Sequence, residues 1–110
     1  MKTRFEVSGS SGVVYVVETV ADGREVTITC DCDAGRNGMA CRHRLAVLSG
    51  DASAIVSSNK RELANVTALL PGTKLLAQLS KVAQAEEAAD DAKRELSKAK
   101  KELSRLMDGR

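Results

Sequence analysis

The 110-residue chain contains only two aromatic residues, Phe5 and Tyr15, so its core must be aliphatic and thin. Small domains of this kind often need a metal, a disulfide or a partner chain. The formal net charge of +2 is too small to indicate nucleic-acid binding by itself. The longest apolar run, Val13–Val17, is too short to span a membrane, and no apolar signal region follows the first four residues. We therefore expect a cytoplasmic protein, or a nuclear one in a eukaryote.

The N-terminal residues predict a small antiparallel sheet. Thr3–Val7 and Val13–Val20 are rich in residues typical of strands. Asp22-Gly23 is a hairpin turn signal. Apolar and polar side chains then alternate over Glu25–Cys30, which predicts a strand with one buried face.

The middle of the chain predicts a loop followed by a short helix. The glycines and the asparagine of Asp33–Ala40 are typical of turns. Arg42–Ser49 is predicted as a helix that turns Leu45 and Leu48 inward, and Gly50 is suited to end it.

Two further helices are predicted. Asn59 and Glu62 resemble a helix cap and its third-position partner, and Pro71-Gly72 breaks the helix that follows. Thr73 can cap a last helix that runs from Lys74 to about Met107, because nothing in that segment interrupts it.

Heptad spacing runs through this last helix, which predicts coiled-coil character. The predicted seam comprises Leu75, Val82, Ala85, Ala89, Ala92, Leu96, Ala99, Leu103 and Leu106. We expect the helix to form a homodimer; packing against its own head, or against a helix of another protein, are the alternatives. Acidic residues early and basic residues late suit the helix dipole and an antiparallel pair. Flanking charges such as Lys81 with Glu86 fit a parallel pair as well, so the orientation stays open.

All three cysteines and the only histidine lie within one short segment. Cys30, Cys32, Cys41 and His43 form the pattern Cys-x-Cys-x8-Cys-x-His. In a reducing compartment, clustered cysteines favour metal binding over disulfides. Three thiolates and one imidazole are a normal tetrahedral set for one structural Zn²⁺.

The spacing within each pair is compatible with one ion. At a strand end, Cys30 and Cys32 can point to the same side. Mid-helix residues two apart diverge by about 200°, so Cys41 and His43 must lie where a helix begins. A redox pair or a cysteine nucleophile fits less well, because Cys-x-Cys is not the usual redox spacing and no triad context is visible. Four protein ligands leave no open position, so we expect no enzymatic activity and no catalytic residues.

This segment resembles the SWIM-type zinc finger, whose pattern is Cys-x-Cys-x(n)-Cys-x-His with a β-hairpin before and a helix after. The resemblance covers residues 12–50. It implies that Cys30, Cys32, Cys41 and His43 hold one structural zinc ion per chain. It also implies a module that binds DNA or another protein.

Arg36, Arg42 and Arg44 form a basic cluster around the second ligand pair. They are candidates for contacts with nucleic-acid phosphates or with a partner protein. Alternatively, they balance the net charge of −1 that three thiolates around Zn²⁺ create.

The sequence as a whole predicts an α+β protein with a zinc-stabilised head and a long C-terminal helix. We expect the head at residues 1–58, a short helix and break at 59–72, and a helical interaction arm at 73–110. The predicted function is a non-enzymatic interaction module that binds DNA or nucleic-acid-associated proteins. The alternative is an adaptor or inhibitor that docks on a partner protein without nucleic-acid contact.

Overall fold

A three-stranded antiparallel sheet forms the N-terminal part of the protein in the computed structural model, which describes residues 1–110. Its strands are β1 (Lys2–Ser8), β2 (Val14–Asp22) and β3 (Glu25–Cys30), in the spatial order β1-β2-β3. Val17 in the central strand pairs with Phe5 on one side and with Cys30 on the other. The predicted strands are therefore confirmed. The loop between β2 and β3 is Gly23-Arg24, and Gly23 has a φ of 62°.

The outer edge of β1 is covered by a segment that follows much later in the chain. The amide of Ser8 donates to the carbonyl of Ala54 over 2.9 Å, and the amide of Val56 donates to that of Glu6 over 2.8 Å. Between them, Ile55 is buried in the core. The pairing therefore protects a strand edge that would otherwise expose unpaired backbone groups.

Four helices follow the sheet. They are α1 (Asp33–Arg36), α2 (Arg42–Ser49), α3 (Leu63–Ala68) and α4 (Lys74–Met107), and a 3-10 turn at Lys60–Glu62 precedes α3. The predictions for α2 and α4 are confirmed. The predicted loop at 33–40 was wrong in part, because the sulfur of Cys32 accepts the amide of Gly35 and caps a single helical turn there. The predicted cap at Asn59 was wrong, because its side chain caps no helix. Its Nδ2 donates instead to the backbone carbonyl of Arg4 over 2.8 Å.

The inward face of α2 differs from the prediction. Val47 is fully buried and His43 is buried, whereas Leu45 is 38% exposed and Leu48 is half-buried. The reason is angular. His43 points into the head, and a residue two positions later lies about 200° away around the helix, while one four positions later returns to the same face.

The core of the first compact unit, Met1–Leu76, is aliphatic apart from one phenylalanine. Its buried apolar side chains, apart from the three cysteines, are Phe5, Val7, Val17, Val26, Ile28, Val47, Ile55, Leu63, Val66 and Leu70. Leu75 and Leu76 at the start of α4 are half-buried against this core. The hydroxyl of Thr73 donates to the carbonyl of Leu70 over 2.6 Å and accepts the amide of Leu76 over 3.3 Å. The predicted cap of the last helix is therefore confirmed, and it lies inside the first unit.

The second compact unit, Ala77–Arg110, consists of the remainder of α4 and a short tail. None of its residues is buried. No helix of the protein has both the length and the apolar character that crossing a membrane requires.

The end of the first unit predicts how far the chain can be shortened. The first unit should have the same free energy of unfolding in a chain that ends after Leu76 as in the full protein. A chain ending after Pro71 loses the cap at Thr73 and two half-buried leucines, which should cost about 2 kcal/mol. Denaturant unfolding of the zinc-loaded chains measures the difference. Equal stability of the two shortened chains would contradict the role of Thr73, Leu75 and Leu76 in the core.

Candidate metal centre

Each of the four predicted ligands sits at an end of a regular element. Cys30 is the last residue of β3, and Cys32 is the N-cap of α1. Cys41 is the N-cap of α2, and His43 is the second residue of that helix. All four side chains are buried. The sheet edge and the two helix starts therefore direct four separate side chains into one enclosed place.

The distances fit a tetrahedral zinc site. One potential ligand atom from each of the four residues lies within 4.8 Å of the others. The Sγ of Cys30 is 3.7 Å from the Nδ1 of His43. Zn–S and Zn–N bonds at the tetrahedral angle place sulfur and nitrogen about 3.6 Å apart. None of the three cysteines forms a disulfide, so all three sulfurs can serve as ligands. The four residues are placed to bind one structural zinc ion.

The imidazole of His43 lacks the hydrogen bonds that a purely structural buried histidine would need. Its Nε2 is buried and has no hydrogen-bond partner, and its Nδ1 faces sulfur. The ring of Tyr15 packs beside it, with ring centroids 5.1 Å apart and planes tilted by 40°. Buried polar groups are normally paired, so this ring fits a metal ligand better than a packing residue.

Backbone amides face two of the sulfurs. The amide of Gly35 donates to the Sγ of Cys32 over 3.4 Å, and the amide of Arg44 donates to the Sγ of Cys41 over 3.4 Å. In both cases the donor lies three residues after the cysteine, at the start of a helix. Such amides stabilise negative charge, so the two helix starts favour thiolates at these positions.

The pKa values of the ligands are shifted in different directions by their surroundings. Burial raises the pKa of the Cys30 thiol to about 12, and the neighbouring sulfurs of Cys32 and Cys41 also raise it. Burial acts the same way on Cys41, but hydrogen bonds from Arg44 and with the thiols of Cys32 and Cys30 together outweigh it and leave the pKa of Cys41 below its usual value. Burial and the charge of Arg42 lower the pKa of His43, partly offset by Asp31. Three thiolates this close are unfavourable without a cation, so metal binding must displace protons from the cluster.

The three predicted arginines have different environments. Arg36, at the end of α1, and Arg42, at the start of α2, are exposed, and their side chains make no hydrogen bond or ion pair. Arg44 is half-buried, and its guanidinium donates to the carbonyls of Ile28, over 3.4 Å, and Met39. Arg44 therefore joins β3 to the loop between the two ligand pairs. This role of Arg44 could not be predicted from the sequence, because both acceptors are backbone carbonyls and not side chains.

The predicted seam residues fall into two groups. Leu75 packs against the core of the first unit, as described above. The other members are exposed: Val82, Ala85, Ala89, Ala92, Leu96, Ala99, Leu103 and Leu106.

Gly35 has a role that its place in a predicted turn did not reveal. A Cβ atom at Gly35 would lie 2.3 Å from the carbonyl oxygen of Cys30. A side chain there would push apart the two segments that carry Cys30 and Cys32. The close approach depends on how α1 folds back on the end of β3, which the sequence alone does not show.

Zinc content and folding should be coupled in this protein. We expect one zinc per chain by elemental analysis and loss of the folded signal in circular dichroism when a strong chelator is added, since binding supplies about 10 kcal/mol or more in small zinc peptides. Cys32→Ser and His43→Ala should have the same effect without chelator. Arg42→Ala, on the same helix but exposed, is the matched control and should keep its zinc. A first unit that stays folded and cooperative after chelation would contradict this coupling.

The contact at Gly35 predicts a sensitive position outside the ligand set. Gly35→Ala should cost about 2 kcal/mol through overpacking and should weaken zinc binding at least tenfold. Gly109→Ala serves as the control for zinc affinity, because no atom lies within 4 Å of the added Cβ and the backbone strain at its φ of 73° is confined to the C-terminal tail. Competition with a chromophoric chelator measures both affinities. Unchanged zinc affinity in Gly35→Ala would show that the segments can separate without cost.

Comparison with known proteins agrees with this geometry. Residues 13–49 match the family model described as the SWIM zinc finger. No curated protein and no solved structure shows significant similarity to the chain. The matched segment contains β2, β3, α1 and α2, and with them all four ligands. The segment that matches the SWIM zinc finger thus contains Cys30, Cys32, Cys41 and His43, which are placed to bind one structural zinc ion.

Proposed function

We propose that the protein is a non-enzymatic interaction module whose zinc finger binds double-stranded DNA. The observation that carries the proposal is the pair of free arginines beside the metal site. Arg36 ends the helix that Cys32 caps, and Arg42 directly follows Cys41. Both are exposed and lack an internal partner, so their guanidinium groups are available to phosphate oxygens.

The ligand set itself supports a binding role over catalysis. Four buried protein ligands complete a tetrahedral zinc shell and leave no position for water or substrate. The zinc then acts by holding the two helix starts in place, and the arginines on those helices are held with them. A rigid placement of a few charged groups lowers the entropic cost of binding a partner.

Arg44 does not belong to the proposed contact surface. Its guanidinium is already engaged with two backbone carbonyls, and its removal would disturb the loop that carries the ligands. A loss of binding in Arg44→Ala would therefore report on folding rather than on DNA contact. The test has to rely on the two free arginines.

Docking on a protein is the second candidate, and the exposed apolar side chains beside the finger favour it. Met39 is 63% exposed in the loop between the ligand pairs. Leu45 faces outward from α2 next to a shallow groove formed with Ile28 and Leu48. In that case Arg36 and Arg42 balance the negative metal site, and the protein acts as an adaptor or inhibitor.

The salt dependence of DNA binding separates the two candidates. The full zinc-loaded chain should bind duplex DNA at low salt, and its affinity should fall steeply as salt increases. Replacing both Arg36 and Arg42 with Ala should reduce the slope of log K against log salt by about two, because each phosphate contact contributes about 0.9. Fluorescence anisotropy with a labelled duplex measures the slopes.

A matched control removes the same charge elsewhere on the first unit. Lys60 and Arg61 are exposed on the 3-10 turn and form no ion pair, so replacing both with Ala should leave the slope nearly unchanged. The control also accounts for nonspecific attraction by the basic residues of α4. If the Arg36 and Arg42 variant retains the full slope, or if no DNA binds at low salt, the adaptor function is favoured instead.

A further inference from the structure

In the part of α4 beyond Ala77, no side chain is buried and only Leu79 is half-buried. Every residue from 80 to 107 is exposed. Large apolar side chains recur along one stripe: Val82, Leu96, Leu103 and Leu106 are 41, 55, 57 and 58% exposed. Alanine, leucine, lysine and glutamate favour the helical backbone, but most helical stability in proteins comes from packing an apolar face. This stripe therefore needs a partner surface.

The charges of the same segment are divided along its length. Residues 86–91 contain four carboxylates and no basic residue, whereas residues 93–105 contain six basic residues and two acidic ones. Within the helix only Asp91 of the four carboxylates forms an ion pair, with Arg94 over 2.7 Å. Glu86, Glu87 and Asp90 remain unpaired, as do Lys93, Lys100 and Lys101. The helix thus presents an acidic half and a basic half, each with three unpaired charges.

We propose that two copies of the chain pair antiparallel through this part of α4. In that orientation the acidic half of each helix lies beside the basic half of the other. This holds in the register that places Leu96 against the partner's Ala92, in which residues 86–91 lie opposite the partner's residues 97–102. Leu103 then faces the partner's Ala85, and Ala89 faces the partner's Ala99. Both leucines meet an alanine, which lets the two helices approach closely, and Val82 meets the partner's Leu106.

A parallel pair would use the same stripe less well. Each seam residue would face its own copy, so Ala85, Ala89 and Ala92 would form three successive layers with little buried area. The acidic halves would lie side by side, and so would the basic halves. Flanking pairs such as Lys81 with Glu86 would offset only part of that repulsion. The inference concerns α4 alone and does not depend on whether the finger binds DNA.

Pairing is tested first on the mass of the full zinc-loaded protein. Sedimentation equilibrium should give twice the chain mass. Leu96→Lys should raise the dissociation constant about 100-fold, because it removes two buried leucines per dimer and adds two charges to the seam. Ser97→Lys adds the same charge one position outside the seam and should leave the dimer intact. A monomer at 100 µM, or equal effects of the two variants, would overturn the proposal.

Orientation is tested by the distance between two spin labels in the dimer. The labels are attached through a ketone-bearing residue at Ser97 or Ser104, since the cysteines bind metal. These positions are seven residues apart and lie on the same outer face. In an antiparallel pair the separation along the axis grows by 14 helical rises, about 21 Å, from Ser97 to Ser104. In a parallel pair it does not change.

Pulsed electron paramagnetic resonance measures these distances and distinguishes the two orientations. A substantially longer distance at Ser104 than at Ser97, abolished by Leu96→Lys, is the expected result. Equal distances at the two positions would establish parallel pairing and overturn the proposal. The outcome leaves the DNA-binding test untouched, because that test measures the effect of Arg36 and Arg42 on a different part of the chain.

Discussion

The structure depends on the convergence of three thiols and one imidazole in a buried place. The core around them is small and almost entirely aliphatic, and it has to hold a three-stranded sheet and three short helices together. Burial raises the pKa of Cys30 to about 12, so this thiol keeps its proton when no cation is bound. A zinc ion displaces that proton, and its double positive charge is shared by all four ligands. Metal binding and folding of the finger are in this sense one equilibrium.

Several local features follow from the direction in which the ligands must point. Because His43 faces the metal site, α2 turns Val47 inward and Leu45 outward. Because Cys32 and Cys41 cap helices, backbone amides already face their sulfurs. The close contact between Gly35 and Cys30 brings the first two ligands together. The finger thereby places Arg36 and Arg42 on rigid elements, which the proposed DNA contact would require.

Features that arise from local pattern were predictable from the sequence. Alternation identified β3, and uninterrupted helical residues identified α4. The spacing of the cysteines and the histidine identified the ligands, since each pair sits within three residues of chain. What the sequence did not reveal depends on contacts between distant segments. The pairing of Ile55 with the edge of β1, the backbone acceptors of Arg44 and the burial of Leu75 against the core all belong to this class. The prediction that Leu45 faces inward was wrong. It rested on the apolar character of Leu45, whereas the orientation of α2 is set by the metal ligand His43.

The most direct test of the metal centre is X-ray absorption at the zinc edge of the purified protein. A site built from Cys30, Cys32, Cys41 and His43 should give three sulfur neighbours at about 2.3 Å and one nitrogen at about 2.0–2.1 Å. Fewer than three sulfurs, or an additional oxygen from water, would contradict a closed structural site.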